Sequence, residues 1–242
     1  KITLFALMLS FLSISVMAQK PLKKEDLIGR HDIKLESEIM TPEVLWSFGR
    51  LGDIQVSPDG KHILYGVSYY SKDMNRSNRE LFVMDIDGKN QKQITHTGFG
   101  EYNAVWRPDG KKIGFICAAD GEMQIWEMDA NGENREQVSY VKGGLGGFKY
   151  SPDQNQILFI KEVKLDETVA DMYSDLPKSS GRVNNDLMYR HWDTWVDSYT
   201  HIFVAPYVLN KMGKEVDIMP GEKWETPMKP FGGMEQINWT PD

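Results

Sequence analysis

The part of this 242-residue chain richest in reactive side chains is Leu187-Met188-Tyr189-Arg190-His191-Trp192-Asp193-Thr194-Trp195-Val196-Asp197. Asp193 and Asp197 offer carboxylates, which receive an ammonium through charge-assisted hydrogen bonds. Tyr189, Trp192 and Trp195 offer rings against which an apolar side chain can lie. Arg190 precedes Asp193 by one helical turn and can pair with it, so these residue types fit both an architectural role and a ligand-holding one. Other chemistries find less support. Acyl transfer by serine needs a Gly-x-Ser-x-Gly elbow with Asp and His partners; Gly66-Val67-Ser68-Tyr69-Tyr70 comes nearest, lacks the second Gly and reads as strand. His31, His62, His96, His191 and His201 show no His-Glu-x-x-His spacing, and the single Cys117 builds neither a zinc site nor an internal disulfide. Asp85, Asp87, Asp129 and Asn131 have a superficial calcium-loop spacing, but hairpin turns alone account for them. No metal and no cofactor are expected.

A scaffold must hold any such site, and a repeated turn announces it. Ser57-Pro58-Asp59-Gly60-Lys61 returns as Arg107-Pro108-Asp109-Gly110-Lys111, as Ser151-Pro152-Asp153-Gln154-Asn155 and as Thr240-Pro241-Asp242. Pro presets φ at the corner, Asp can accept from its own backbone two residues on, and Gly supplies positive φ. Each of the first three turns is followed by a β-prone run, such as His62-Ile63-Leu64-Tyr65 or Lys112-Ile113-Gly114-Phe115-Ile116. Leu81-Phe82-Val83-Met84-Asp85 then leads through Asp87-Gly88 to Gln93-Ile94-Thr95, and Gln124 to Met128 leads through Asn131-Gly132 to Gln137-Val138-Ser139. Asp-Gly and Asn-Gly between apolar runs signal hairpins. With the strand before each Pro-Asp turn, this makes four short antiparallel strands per unit. Pro58, Pro108 and Pro152 are 50 and 44 residues apart, the period of a β-propeller blade. The fold expected is therefore all-β, an incomplete β-propeller of four-stranded antiparallel blades. Residues 53–160 resemble the TolB-type, WD-like propeller repeats.

The organisation follows. Residues 1–18 have a basic start, an apolar run from Leu4 to Val16 and a small-residue site at Val16-Met17-Ala18, which together read as a cleaved secretory signal peptide. Residues 19–51 are an arm and a short helix, with Thr41 as N-cap, Pro42 at the first position and Val44, Leu45, Phe48 and Leu51 as a stripe packing on the propeller. Residues 52–242 are the partial propeller, with blades at 52–95, 102–139 and 147–207 and a fourth beginning at 236–242. A polar excursion at 71–78 separates two strands of the first blade. The third blade carries the insertion 161–198, which contains the segment described above; loops of this length at one face of a propeller are where sites are built. A net charge of −7 argues against nucleic acid or an anionic membrane surface as partner. Export with one cysteine fits a periplasmic or cell-surface location.

The order "DLMYRHWDTWVD…HIFV" resembles a segment of the prolyl oligopeptidase family, of the secreted dipeptidyl peptidase 5 and acylaminoacyl peptidase type, and "MTPEVLWSFGRLGDIQVSPDGK" resembles that family's first blade. The resemblance spans residues 38–242. It implies an N-terminal propeller portion that gates an α/β-hydrolase domain lying beyond Asp242, with the Ser-His-Asp triad outside this chain and the fragment itself inactive. It further implies peptide substrates, docking on the chain's own hydrolase domain and room for a homodimer. In that setting Arg190, Asp193, Trp192, Trp195, Tyr189 and Asp197 become substrate-binding candidates, the carboxylates for a free N-terminus. The competing expectation is a non-catalytic periplasmic TolB-like propeller that binds proteins.

Overall fold

The computed structural model describes residues 27–30, 33–183, 195–196 and 198–241. They form three antiparallel sheets side by side. The first contains β1 (Arg50–Val56), β2 (His62–Ser71), β3 (Arg76–Asp85) and β4 (Lys92–Gln93) in that order. The second contains β5 (Tyr102–Trp106), β6 (Lys112–Cys117), β7 (Gln124–Asp129) and β8 (Glu136–Gln137). The third runs β9 (Gly147–Tyr150), β10 (Gln156–Val163), β11 (Tyr199–Val208) and β12 (Lys211–Met212), with β13 (Val216–Asp217) also on β11. The all-β architecture of four-stranded antiparallel blades is thus observed.

The Pro-Asp turns close as their composition dictates. Asp59, Asp109 and Asp153 each accept the backbone N–H two residues on, at 3.1, 3.0 and 3.1 Å. Gly60 and Gly110 take φ of +73° and +70°, and Gln154 is held at +60° in the third copy. Pro58 packs beside Gly110, so neighbouring turns lie together and the sheets point the same way. The hairpins joining second to third strands therefore all emerge at the opposite end.

Alternation along the strands sends one set of side chains to each seam. Leu64, Leu81, Trp106, Phe115 and Met128 fill the seam between the first two sheets. Ile116, Ile125, Phe148, Phe159 and Phe203 fill the next. Cys117 is fully buried in the first seam and accepts from Arg135 Nη2 at 2.9 Å.

A buried polar motif repeats with the strands. Ser139 Oγ accepts from Ile125 N and donates to Gln124 Oε1, which also accepts from Val141 N, each at 2.8 Å. Thr95 Oγ1 accepts from Leu81 N at 2.8 Å and donates to Glu80 Oε2 at 2.7 Å, and Thr97 N donates to Glu80 Oε1 at 3.1 Å. Glu80 stands where Gln124 stands. Burial, and then the nearby Glu101 carboxylate, push its pKa up to about 7.

Two expectations are corrected. The helix α1 (Pro42–Ser47) is capped by Thr41, whose Oγ1 accepts from Val44 N at 3.3 Å. It buries none of its residues, however, and Leu45, Phe48 and Leu51 are all largely exposed. Six residues make less than two turns; Phe48 is already extended and Leu51 belongs to β1, so no continuous stripe exists. Ile28 covers Tyr65, Val67 and Tyr69 instead. The polar excursion at 71–78 contracts to a turn, because β2 and β3 stay paired from His62↔Asp85 to Ser71↔Arg76.

Candidate functional site

The end of the sheets opposite the Pro-Asp turns carries the connections 72–75, 118–123 and 164–198. The longest leaves and returns at one point, since β10 and β11 are paired as far as Val163↔Tyr199. Its stem is fixed by charge. Glu162 accepts from Ser198 Oγ at 2.6 Å, Thr200 Oγ1 at 2.6 Å and Lys229 Nζ at 2.9 Å. Burial works to raise its pKa, but these three donors outweigh it and hold the carboxylate below its ordinary range. Asp166 accepts from Tyr199 OH at 3.1 Å and pairs with Lys223. Asp171, in the short helix α2 (Val169–Met172), pairs with Lys164 and accepts from the Thr168 backbone and hydroxyl. The Lys164 and Thr168 donors lower its pKa. Beneath the stem, His201 is fully buried, with Nδ1 2.9 Å from Asp217 Oδ2 and Nε2 2.7 Å from the Glu222 carbonyl.

Of the candidate residues, Trp195 is described: its ring is 43% exposed and lies 5.2 Å from the Arg182 guanidinium. Tyr189, Arg190, Trp192, Asp193 and Asp197 lie outside the described residues, as do residues 1–18 of the expected leader. The structure therefore fixes where the candidate segment is attached. Ser68, at the nearest approach to an elbow, is a β2 residue whose hydroxyl accepts from Arg79 Nη1 at 3.1 Å. Among the described residues no three His, Cys, Asp or Glu side chains converge as metal ligands. Asp87 and Asn131 accept the N–H of Lys89 and Glu133, at 3.1 and 3.0 Å, as turn residues do.

Sequence reading missed a cleft of about 370 Å³ at the same end, lined by Trp46, Tyr70, Lys72, Asn75 and Arg76 among others. Trp46 and Tyr70 meet edge to face at 5.5 Å, and the Arg50 guanidinium lies 5.2 Å from the first ring and 4.5 Å from the second. A local signal was present, since Trp46 and Arg50 are four apart. The partner ring comes from the far end of β2, which no local pattern places.

Sequence comparison agrees with this architecture. The family model for the TolB beta propeller domain matches residues 47–184. Dipeptidyl-peptidase 5 of Porphyromonas gingivalis is 44% identical over 205 residues, covering 85% of this chain and 30% of the relative. Dipeptidyl-peptidase 5 of Porphyromonas endodontalis is 37% identical over 207 residues, covering 86% and 30%. The chain thus spans about 30% of the length of these curated relatives. Among solved structures, the Pyrococcus horikoshii acylaminoacyl peptidase shares the fold, with a TM-score of 0.54 at 15% identity over 72% of this chain and 26% of that one. By its repeated turns, its stacked four-stranded sheets and the match of its family model, the chain belongs to the TolB beta propeller domain family.

Proposed function

We propose that this chain is the propeller portion of an exported serine exopeptidase of the dipeptidyl-peptidase type, which limits access to a hydrolase domain and helps hold the peptide. The observation that carries this reading is the 44% identity to a dipeptidyl-peptidase 5 across 85% of the chain. Propellers suit such a role because loops at one end can narrow and line an approach while the stacked sheets stay rigid. The 164–198 connection is rooted on that end by Glu162, Asp166 and Lys229. In this reading Asp193 and Asp197 receive the substrate's α-ammonium, Tyr189, Trp192 and Trp195 line the adjoining side-chain site, and Arg190 orients Asp193. The triad lies elsewhere in the gene product, and a leader at residues 1–18 directs export.

The match to the TolB propeller family favours a second reading, a propeller that binds protein partners without catalysis. A fluorogenic dipeptide reporter separates the two. The intact gene product is expected to hydrolyse it, residues 19–242 alone are expected to be inactive, and Asp193→Asn is expected to raise KM at least tenfold with a smaller effect on kcat. An inactive intact gene product would leave the second reading.

A further inference from the structure

We propose that the cleft between α1 and the 72–75 turn is a carboxylate subsite that takes the C-terminus of a short peptide, an inference that rests on the peptidase reading. The largely buried arginines Arg79, Arg107 and Arg135 are matched, by Asp53, Asp109 and Glu101 at 2.8, 2.8 and 2.7 Å. The arginines at the cleft are not. Among the described residues neither Arg50 nor Arg76 has a carboxylate within 4.0 Å, and Lys72 has only Glu43, at 4.0 Å. Two guanidinium groups and an ammonium thus stand about the cleft with no ion pair shorter than 4.0 Å among the described residues, in a chain whose net charge is −7.

The geometry suits a carboxylate beside an apolar group. The Arg50 guanidinium lies 5.2 Å from the Trp46 ring and 4.5 Å from the Tyr70 ring and adds its positive charge beside the two aromatic walls of the cleft. Arg76, the first residue of β3, stands opposite Ser71 and lines the opening with a guanidinium, whose fork can receive a carboxylate with two bonds. The rings supply a surface for one apolar side chain. At about 370 Å³ the cleft is near the small end of the range for ligand pockets, which suits a chain end. It opens at the end of the sheets from which the 164–198 connection also emerges. On the peptidase reading, a cationic cleft at this end takes the end of the peptide that carries a carboxylate.

The test uses the intact gene product and N-acetylphenylalanine, as free acid and as amide, in titration calorimetry. The acid is expected to bind at least tenfold more tightly than the amide. Arg76→Gln, at the exposed first residue of β3, is expected to shrink that ratio several-fold without changing the melting temperature, and Arg50→Ala with Arg76→Ala to abolish it. Equal binding of acid and amide, or an acid preference that survives both variants, overturns the proposal. N-acetylaspartyl-phenylalanine amide carries its carboxylate on a side chain and is expected to bind as weakly as the amide; binding equal to that of the free acid overturns the assignment to a C-terminus. This readout does not depend on cleavage. Acid preference in a gene product that releases no dipeptide supports the cleft and removes the peptidase reading.

Discussion

Glu80 and Gln124 hold the same place in successive sheets, and one atom separates their chemistry. The Gln124 amide donates to the Val141 carbonyl at 2.7 Å while its oxygen accepts from Val141 N and Ser139. Glu80 reproduces the accepting half; an added proton makes its carboxyl a donor as well. Its pKa in the folded protein, about 7, stands above the ordinary 4.5, so the folded state binds this proton more tightly than the unfolded chain. The resulting stabilisation is full below about pH 4.5 and disappears as pH rises through about 7, a change on the order of 3 kcal/mol. Glu80→Gln is expected to remove that slope, gaining on the wild type by a comparable amount between those limits in urea unfolding; parallel pH profiles would contradict this. Arg107 is the other informative departure. Where two turns have Ser57 and Ser151, each donating to its turn Asp at 2.6 Å, Arg107 grips Asp109 with two bonds of 2.9 and 2.8 Å and reaches the buried Glu127 at 3.4 Å. Glu127 also accepts from Tyr150 OH at 2.7 Å and from Tyr207 OH, so the arginine ties three strands of two sheets. Arg107→Ser leaves a buried carboxylate without its cation and is expected to cost about 3–5 kcal/mol. Adding Glu127→Gln should restore part of the loss, and additive effects would show that the two do not interact.

The turn is the element that repeats, and the third copy shows its strain. Gln154 occupies a left-handed conformation that Gly60 and Gly110 take without a Cβ. Gln154→Gly relieves that conflict and also loosens the unfolded chain, so a net gain of about 0.5–1 kcal/mol is expected in thermal unfolding; a loss would show that the side chain contributes more than its backbone costs. Such turns are why the fold was legible. Pro, Asp and Gly act within five residues, and the Asp-Gly and Asn-Gly hairpins act as locally. What was not legible depends on distant residues. Gly52 and Gly66 leave room for the Arg79 guanidinium, within 2.5 Å of where a Cβ would stand on either. Asn103, at φ +49° in a bulge of β5, bonds the backbone of Phe148 in the next sheet at 3.1 and 3.2 Å. The stripe drawn through Leu45, Phe48 and Leu51 assumed a longer helix than Thr41 starts, and the cleft needs Trp46, Tyr70 and Arg76 from three elements. For the candidate segment, sequence pointed to residue types, and the structure adds the roots of its connection on β10 and β11.

At the scale of the whole molecule, the parts are ordered by direction. Pro-Asp turns tie the sheets together at one end, through Pro58 against Gly110 and the Arg107 network. The other end carries the long connection and the cationic cleft. One end thus holds the blades in register while the other is free to vary, the division of labour that lets a propeller carry a site. The proposed role of the propeller requires that the gene product remove dipeptides from free N-termini. The measurement is product analysis by mass spectrometry after incubating the purified intact gene product with an unblocked decapeptide and with its N-acetylated twin. Successive loss of dipeptides from the unblocked peptide alone is expected. Both peptides intact, or fragments from internal cleavage, would contradict it.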